Sequence, residues 1–157
     1  MRNSQGFSVV EIVVAAAIIV TLVTAAAGAW QLYLRVSNTG TQQSQAAIMM
    51  EEAVEALRLL RDQSWTSNIA PLTLETTYQL YWDGSQYQTT TTQILLQNQF
   101  VRSLIFSAVN RDSNDNVASS GTNDPDTRKV TISVFNVGAT STPIIQSEML
   151  IHNVYAN

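Results

Sequence analysis

The side chain with the clearest chemical consequence in this sequence is Glu11, a carboxylate at the edge of an apolar run. From Ile12 to Trp30 the sequence contains no charged residue and is rich in Val, Ile and Ala. An unpaired carboxylate is costly in hydrocarbon, so an ionisable residue in such a segment is a candidate functional site that needs a positive partner. The opposing interpretation is that Glu11 lies shallow enough to reach lipid headgroups and has no specific role.

A second group of oxygen-bearing side chains could bind a cation. Its calcium candidates are Asp112, Asn114, Asn116 and Asp124. The first three occupy positions one, three and five of a calcium-loop pattern, but Val117 replaces the turn glycine and Asn123 replaces the bidentate glutamate. Because dense Asp and Asn more often form turns between strands, a plain loop is the favoured interpretation and calcium the alternative.

Catalytic constellations are missing from the sequence. His152 is the only histidine and there is no cysteine, so disulfides, redox thiols and zinc sites of Cys and His are excluded. The formal net charge is −4 and the basic residues are scattered, which disfavours nucleic-acid binding. We therefore predict a protein that is not an enzyme and needs no cofactor unless calcium binds.

The residues around Glu11 form a specific arrangement. A short leader containing Arg2 ends at Gly6, the aromatic Phe7 follows, and Glu11 is the fifth residue counted from Phe7. Over residues 1–30 this combination resembles the prepilin segment of the type IV pilin and type II secretion pseudopilin superfamily. The resemblance implies a structural subunit, a minor pilin or pseudopilin, of a pilus-like filament (a fimbrium) or a secretion pseudopilus.

The same resemblance implies a processing pathway and a set of partners. A prepilin peptidase would cut after Gly6, where the absence of a Cβ eases approach to the backbone, and would methylate the new amine of Phe7. Glu11 would then pair with the Phe7 amine of a neighbouring subunit or of its own, which sets the register of assembly. The other partners would be pilin or pseudopilin subunits, a membrane platform protein, an assembly ATPase acting indirectly, and the lipid bilayer before assembly.

Periodicity predicts the elements that position these residues. They are an apolar transmembrane helix (7–34), its amphipathic continuation (35–62) and a β-rich head (63–157). The resemblance implies in addition that residues 1–6 are a leader and that the helix 7–34 forms a filament core. In the continuation, apolar residues recur at spacings of three and four: Ala46, Met49, Ala53, Leu57 and Leu60. The predicted class is α+β, a long helical spine packed on a small antiparallel sheet, as in pilins.

Two features of the head support the sheet. Asp83-Gly84 lies between β-like runs and predicts a hairpin, since both central residues of a type I′ turn need positive φ. Val130, Ile132 and Val134 alternate with polar residues, as expected for a strand with one buried face.

Localisation follows from the apolar helix together with the resemblance, which implies the orientation and the filament. We predict a single-pass protein of the cytoplasmic membrane with its N-terminus inside, which later enters an extracytoplasmic filament at the cell surface. The alternative is a secreted β-domain with an ordinary signal peptide, since Ala25-Ala26-Ala27 and Ala27-Gly28-Ala29 both fit a small-x-small cleavage site. A third possibility is a plain membrane anchor that is never processed. These hypotheses predict mature chains that begin at Phe7, at Gly28 or Trp30, and at Met1.

Overall fold

The computed structural model describes residues 8–139 and 141–155, which fall into two compact units, residues 1–41 and 42–157. The helices are α1 (Val9–Gln63) and α2 (Trp65–Asn68). The strands are β1 (Thr77–Trp82), β2 (Tyr87–Thr90), β3 (Leu95–Leu96), β4 (Phe100–Arg111), β5 (Val117–Ala118), β6 (Thr122–Asn136) and β7 (Ile145–His152). The predicted α+β class, a long N-terminal helix with an antiparallel sheet, is confirmed.

The described part of the first unit is the beginning of α1. Its Val, Ile, Leu and Ala side chains are exposed along the whole segment. Thr21 and Thr24 each donate their hydroxyl to the carbonyl oxygen four residues earlier, at 2.8 and 3.0 Å. These two hydroxyls are therefore satisfied within the helix, as polar groups in hydrocarbon must be.

The second unit contains a core between the rest of α1 and the sheet. The buried stripe of the helix consists of Ala46, Met49, Met50, Ala53, Ala56, Leu57 and Leu60. It includes all five apolar residues predicted from the spacing of three and four, and this prediction is confirmed. Alanine recurs in the stripe, so the helix backbone can lie close to the strands it packs on.

The sheet is antiparallel and has the order β2-β1-β4-β6-β7, with β3 and β5 paired to β4. Val130, Ile132 and Val134 are fully buried on its core face, which confirms the predicted alternation. Phe100, Leu104 and Phe106 of β4 are buried in the same cluster. Burying each side chain of this size contributes about 1.5–3 kcal/mol, so this contact is the main stabilising element of the unit.

The predicted hairpin is present, but its turn is not type I′. Trp82 pairs with Tyr87, and Gly84 has a φ of 105° whereas Asp83 does not have a positive φ. The Asp83 carboxylate instead accepts hydrogen bonds from the backbone amides of Ser85 (2.8 Å) and Gln86 (2.9 Å). A side chain thus closes this turn, in the manner of an Asx turn.

Candidate functional site

Glu11 lies in the first turn of α1. The carbonyl oxygen of Ser8 accepts hydrogen bonds from the amides of Glu11 (3.0 Å) and Ile12 (3.2 Å), so Ser8 is the last residue before the helix. A carboxylate in the first turn interacts favourably with the helix dipole, by about 0.3–1 kcal/mol at an exposed site. The processing residues predicted from the sequence, Gly6 and Phe7, lie outside the described residues.

The surface around Glu11 is apolar. The most apolar 18-residue stretch of α1 has a mean hydropathy of 2.6, and none of its residues is buried. The exposed large apolar side chains in the first four turns of α1 are Val9, Val10, Ile12, Val13, Val14, Ile18, Ile19, Val20, Leu22 and Val23. A patch of this extent on a protein marks an interaction with a membrane or with other chains. By length and composition this helix could cross a membrane.

A shallow groove adjoins the carboxylate. Its volume is about 380 Å³, and it is lined by Glu11, Ile12, Ala15, Ala16 and Ile19. The spacing of these residues places them on one face of the helix, one turn after another. Small residues at such a face allow the backbone of a second helix to come close in lipid. The groove therefore offers Glu11 an apolar contact surface on which a partner bearing a positive charge could dock.

A polar network that sequence reasoning missed joins α1 to the sheet within the second unit. Arg102 of β4 is only 2% exposed and donates to the carbonyl oxygen of Met49 at 2.9 Å. It also pairs with Glu52 at 3.4 Å, and the Tyr87 hydroxyl donates to the same carboxylate at 3.2 Å. Burial and the charge of Glu52 raise the pKa of Tyr87. The only sequence signal was an arginine close to the apolar residues of this strand.

Three of the four candidate calcium residues, Asp112, Asn114 and Asn116, lie in the turn between β4 and β5. Asp112 accepts hydrogen bonds from the backbone amides of Asn116 (2.9 Å) and Asn114 (2.8 Å), which lower the pKa of its carboxyl group. The Asn116 side chain also donates to Asp112, at 3.4 Å. These hydrogen bonds close the turn through the Asp112 side chain.

Asp124, the fourth calcium candidate, has a different partner. It accepts a hydrogen bond from Arg111 at 2.6 Å. Burial opposes its charged form, yet the bond from Arg111 holds the pKa of this carboxyl below its usual value. Within residues 8–139 and 141–155, no three His, Asp or Glu side chains are grouped so that they could hold a metal ion. Calcium binding stays a prediction.

His152 is the last residue of β7, the strand at one edge of the sheet. Its side chain is exposed, and its Nδ1 lies 3.2 Å from the hydroxyl of Thr127. His152 is therefore a surface histidine at a sheet edge.

Among known proteins, comparison finds no matching family model, no matching curated protein and no matching solved structure.

Proposed function

We propose that this chain is a structural subunit, a minor pilin or pseudopilin, of a type IV pilus-like filament or of a type II secretion pseudopilus. The observation that supports this best is the unburied apolar beginning of α1 with Glu11 in its first turn. A helix that only anchors a domain needs apolar side chains, whereas a carboxylate at this place adds a requirement for a specific positive partner.

The partner that fits is the free amine of Phe7 created by a prepilin peptidase. At a separation of about 4 Å and an intermediate effective dielectric, two such charges attract by about 4 kcal/mol. In the membrane, a subunit whose Glu11 lacks this partner bears the desolvation cost alone. Transfer into a filament, where Glu11 meets an amine, is then favourable in one register of the helices and unfavourable in the others.

The proposed pathway is the one that the resemblance to pilins implies. The peptidase cuts after Gly6 and methylates Phe7, and the processed subunit waits in the cytoplasmic membrane as a single-pass protein. A platform protein and, indirectly, an assembly ATPase move it into the filament. The β-rich second unit is then carried outside the membrane. We expect it to contact other proteins or surfaces, and we expect no catalysis.

A second candidate function is a secreted or membrane-anchored β-domain with an ordinary signal peptide or anchor. The small residues from Ala25 to Ala29 favour it, because signal peptidase sites need such residues after an apolar segment. Under this hypothesis the carboxylate of Glu11 has no role in assembly, since the helix is removed or acts as an anchor alone.

The experiment that tests the proposal compares two identical substitutions on one helix. Glu11→Gln removes the proposed pairing charge, and Glu51→Gln removes an exposed charge of α1 within the second unit. Each variant is expressed in the native host, and the fraction found in sheared filaments or in the assembled pseudopilus is measured against the membrane pool.

We expect Glu11→Gln to reduce incorporation by at least about tenfold, since a loss of only ~1.4 kcal/mol has that effect on an equilibrium. Glu51→Gln should incorporate like the wild type. Equal incorporation of both variants, at equal membrane levels, would contradict the proposed role of Glu11.

A further inference from the structure

The edge of β4 that faces β1 and β3 contains a gap in strand pairing. The ladder between β1 and β4 ends at Tyr78 and Leu104, and the ladder between β3 and β4 begins at Val101 and Leu95. Among the described residues, no strand pairs with this edge of β4 at Ser103. The gap opens a cavity of about 400 Å³ beside Ser103. This volume lies within the range of small-molecule sites.

The cavity lies on the face of the sheet opposite the core. Successive side chains of a strand point to opposite faces, so Gln79 and Ser103 face away from the buried Leu80 and Leu104 beside them. The segment after β2 adds Thr91 and Gln93 to the cavity wall. Because the site is on the outer face, a ligand could enter it without disturbing the packing of α1.

The lining of the cavity contains no charged side chain. Its polar groups are amides and hydroxyls, including Gln79, Gln93, Thr91 and Ser103. Its apolar wall includes Phe135 and Val101, which pair across β6 and β4. Amides and hydroxyls can both donate and accept hydrogen bonds, while the aromatic ring offers an apolar surface.

Gln79 is the residue that indicates a ligand. It is 5% exposed, and its carboxamide makes no hydrogen bond to any residue in the part of the chain that the structure describes. Its amide atoms are also not among the unpartnered polar atoms sealed from solvent, so they keep access to the cavity. The Gln79 carboxamide is therefore open to the cavity and can exchange hydrogen bonds with a ligand.

We infer that this cavity is a binding site for an uncharged saccharide. A charged ligand would enter a cavity whose lining offers no countercharge and would lose part of its hydration without compensation. A purely apolar ligand would leave the amide of Gln79 unpaired. A neutral sugar satisfies both conditions, because its hydroxyls pair with amides and hydroxyls and its C–H face lies against Phe135. The inference concerns the second unit alone and does not depend on the proposed filament function.

The test uses the full chain in lipid nanodiscs and neutral probes with charged counterparts. The neutral probes are glucose, galactose, N-acetylglucosamine and their disaccharides, and the charged probes are glucuronate and glucosamine. Binding is followed by NMR, through the side-chain amide signals of Gln79 and through saturation transfer to the sugar. We expect at least one neutral probe to bind saturably and to shift the Gln79 signals, and the charged probes not to do so.

Three variants connect binding to the cavity. Gln79→Leu keeps the approximate size and removes the amide, so we expect binding to weaken by at least about tenfold. Gln99→Leu, the same change at an exposed residue between β3 and β4, should leave binding unchanged. Ser103→Ala removes one hydroxyl and should weaken binding less than Gln79→Leu does.

Folding and binding are measured separately. Gln79→Leu should unfold at the wild-type temperature or above it, because the amide it removes has no protein partner. If that variant did not fold, the affinity of Ser103→Ala would be used instead, and an affinity equal to that of the wild type would overturn the inference. The inference is overturned if no neutral probe binds saturably, if charged probes bind equally well, or if Gln79→Leu and Gln99→Leu bind alike.

Discussion

Glu11 and Glu52 lie on the same helix, yet their surroundings differ completely. Glu52 meets a buried arginine of β4 and the hydroxyl of Tyr87, both supplied by its own unit. Glu11 adjoins a groove of Ile and Ala side chains that are exposed together with the rest of that segment. The second unit thus supplies Glu52 with partners from its own strands, whereas the first presents an apolar surface suited to lipid or other helices.

The largest effect on the stability of the second unit is expected from Arg102→Ala. The substitution empties a buried site and removes the Arg102 hydrogen bond to the Met49 carbonyl, so the expected cost is about 3 kcal/mol. Thermal or denaturant unfolding followed by near-ultraviolet circular dichroism measures it. Arg102→Met, which refills the volume without a charge, should cost less.

The control for this prediction is Arg58→Ala on the same helix as Glu52. Arg58 pairs with Glu55 at 2.6 Å, but both side chains are largely exposed, and such pairs contribute little. An Arg102→Ala protein as stable as Arg58→Ala would show that the buried network does not hold α1 to the sheet.

Substitutions at one glycine of each unit compare how tightly the two units constrain their backbone. A Cβ at Gly121 would meet the carbonyl oxygen of Arg111 at 2.1 Å, and its φ of +142° disfavours other residues. At Gly28 a Cβ would meet nothing within 4 Å. We therefore expect Gly121→Ala to destabilise the second unit by about 1–3 kcal/mol, as for strained backbone sites. Gly28→Ala should instead favour its helix by about 1 kcal/mol.

Unfolding of the second unit and helix content of the full chain in micelles measure these two effects. Destabilisation of similar size by both substitutions would mean that the first unit is as tightly constrained by its own contacts as the second.

The smallest expected effect on stability comes from the Asp83 carboxylate in the turn after β1. Backbone amides of Gln86 and Ser85 hydrogen-bond to Asp83 and lower the pKa of this carboxyl to about 2 from its usual 3.8. Since the folded pKa is depressed, the stabilisation is present above pH 3.8 and is lost as the pH falls through 2. The amide NMR shifts of Ser85 and Gln86 should titrate with a midpoint near the folded pKa. In Asp83→Asn that titration should vanish, and a midpoint near 4 in the wild type would contradict the turn geometry.

The sequence predicted those elements whose apolar residues recur with a regular helix or strand period. The spacing of Met49, Ala53 and Leu57 and the alternation of Val130, Ile132 and Val134 follow from helix and strand periods, and the structure confirms both. The hairpin at Asp83-Gly84 was also predicted, but its turn type was wrong. There the carboxylate of Asp83 accepts hydrogen bonds from backbone amides, and a prediction from dihedral preferences alone does not include such bonds.

Contacts between distant residues could not be predicted from the sequence. Arg102 and Met49 are far apart in the chain, and their hydrogen bond depends on how α1 lies on β4. The cavity at Gln79 depends on where the β1 and β3 ladders end, and no local pattern marks these points. Glu11 could be recognised as a candidate because a charge within an apolar run is visible in sequence, and the structure places it in the first turn of α1.

The mature N-terminus in the native host tests the proposed function most directly. Mass spectrometry of the protein isolated from membranes and filaments should find a chain that begins at N-methylated Phe7. A chain beginning at Gly28 or Trp30 would contradict the account and support a secreted β-domain. A chain retaining Met1 would contradict it as well and support a plain membrane anchor.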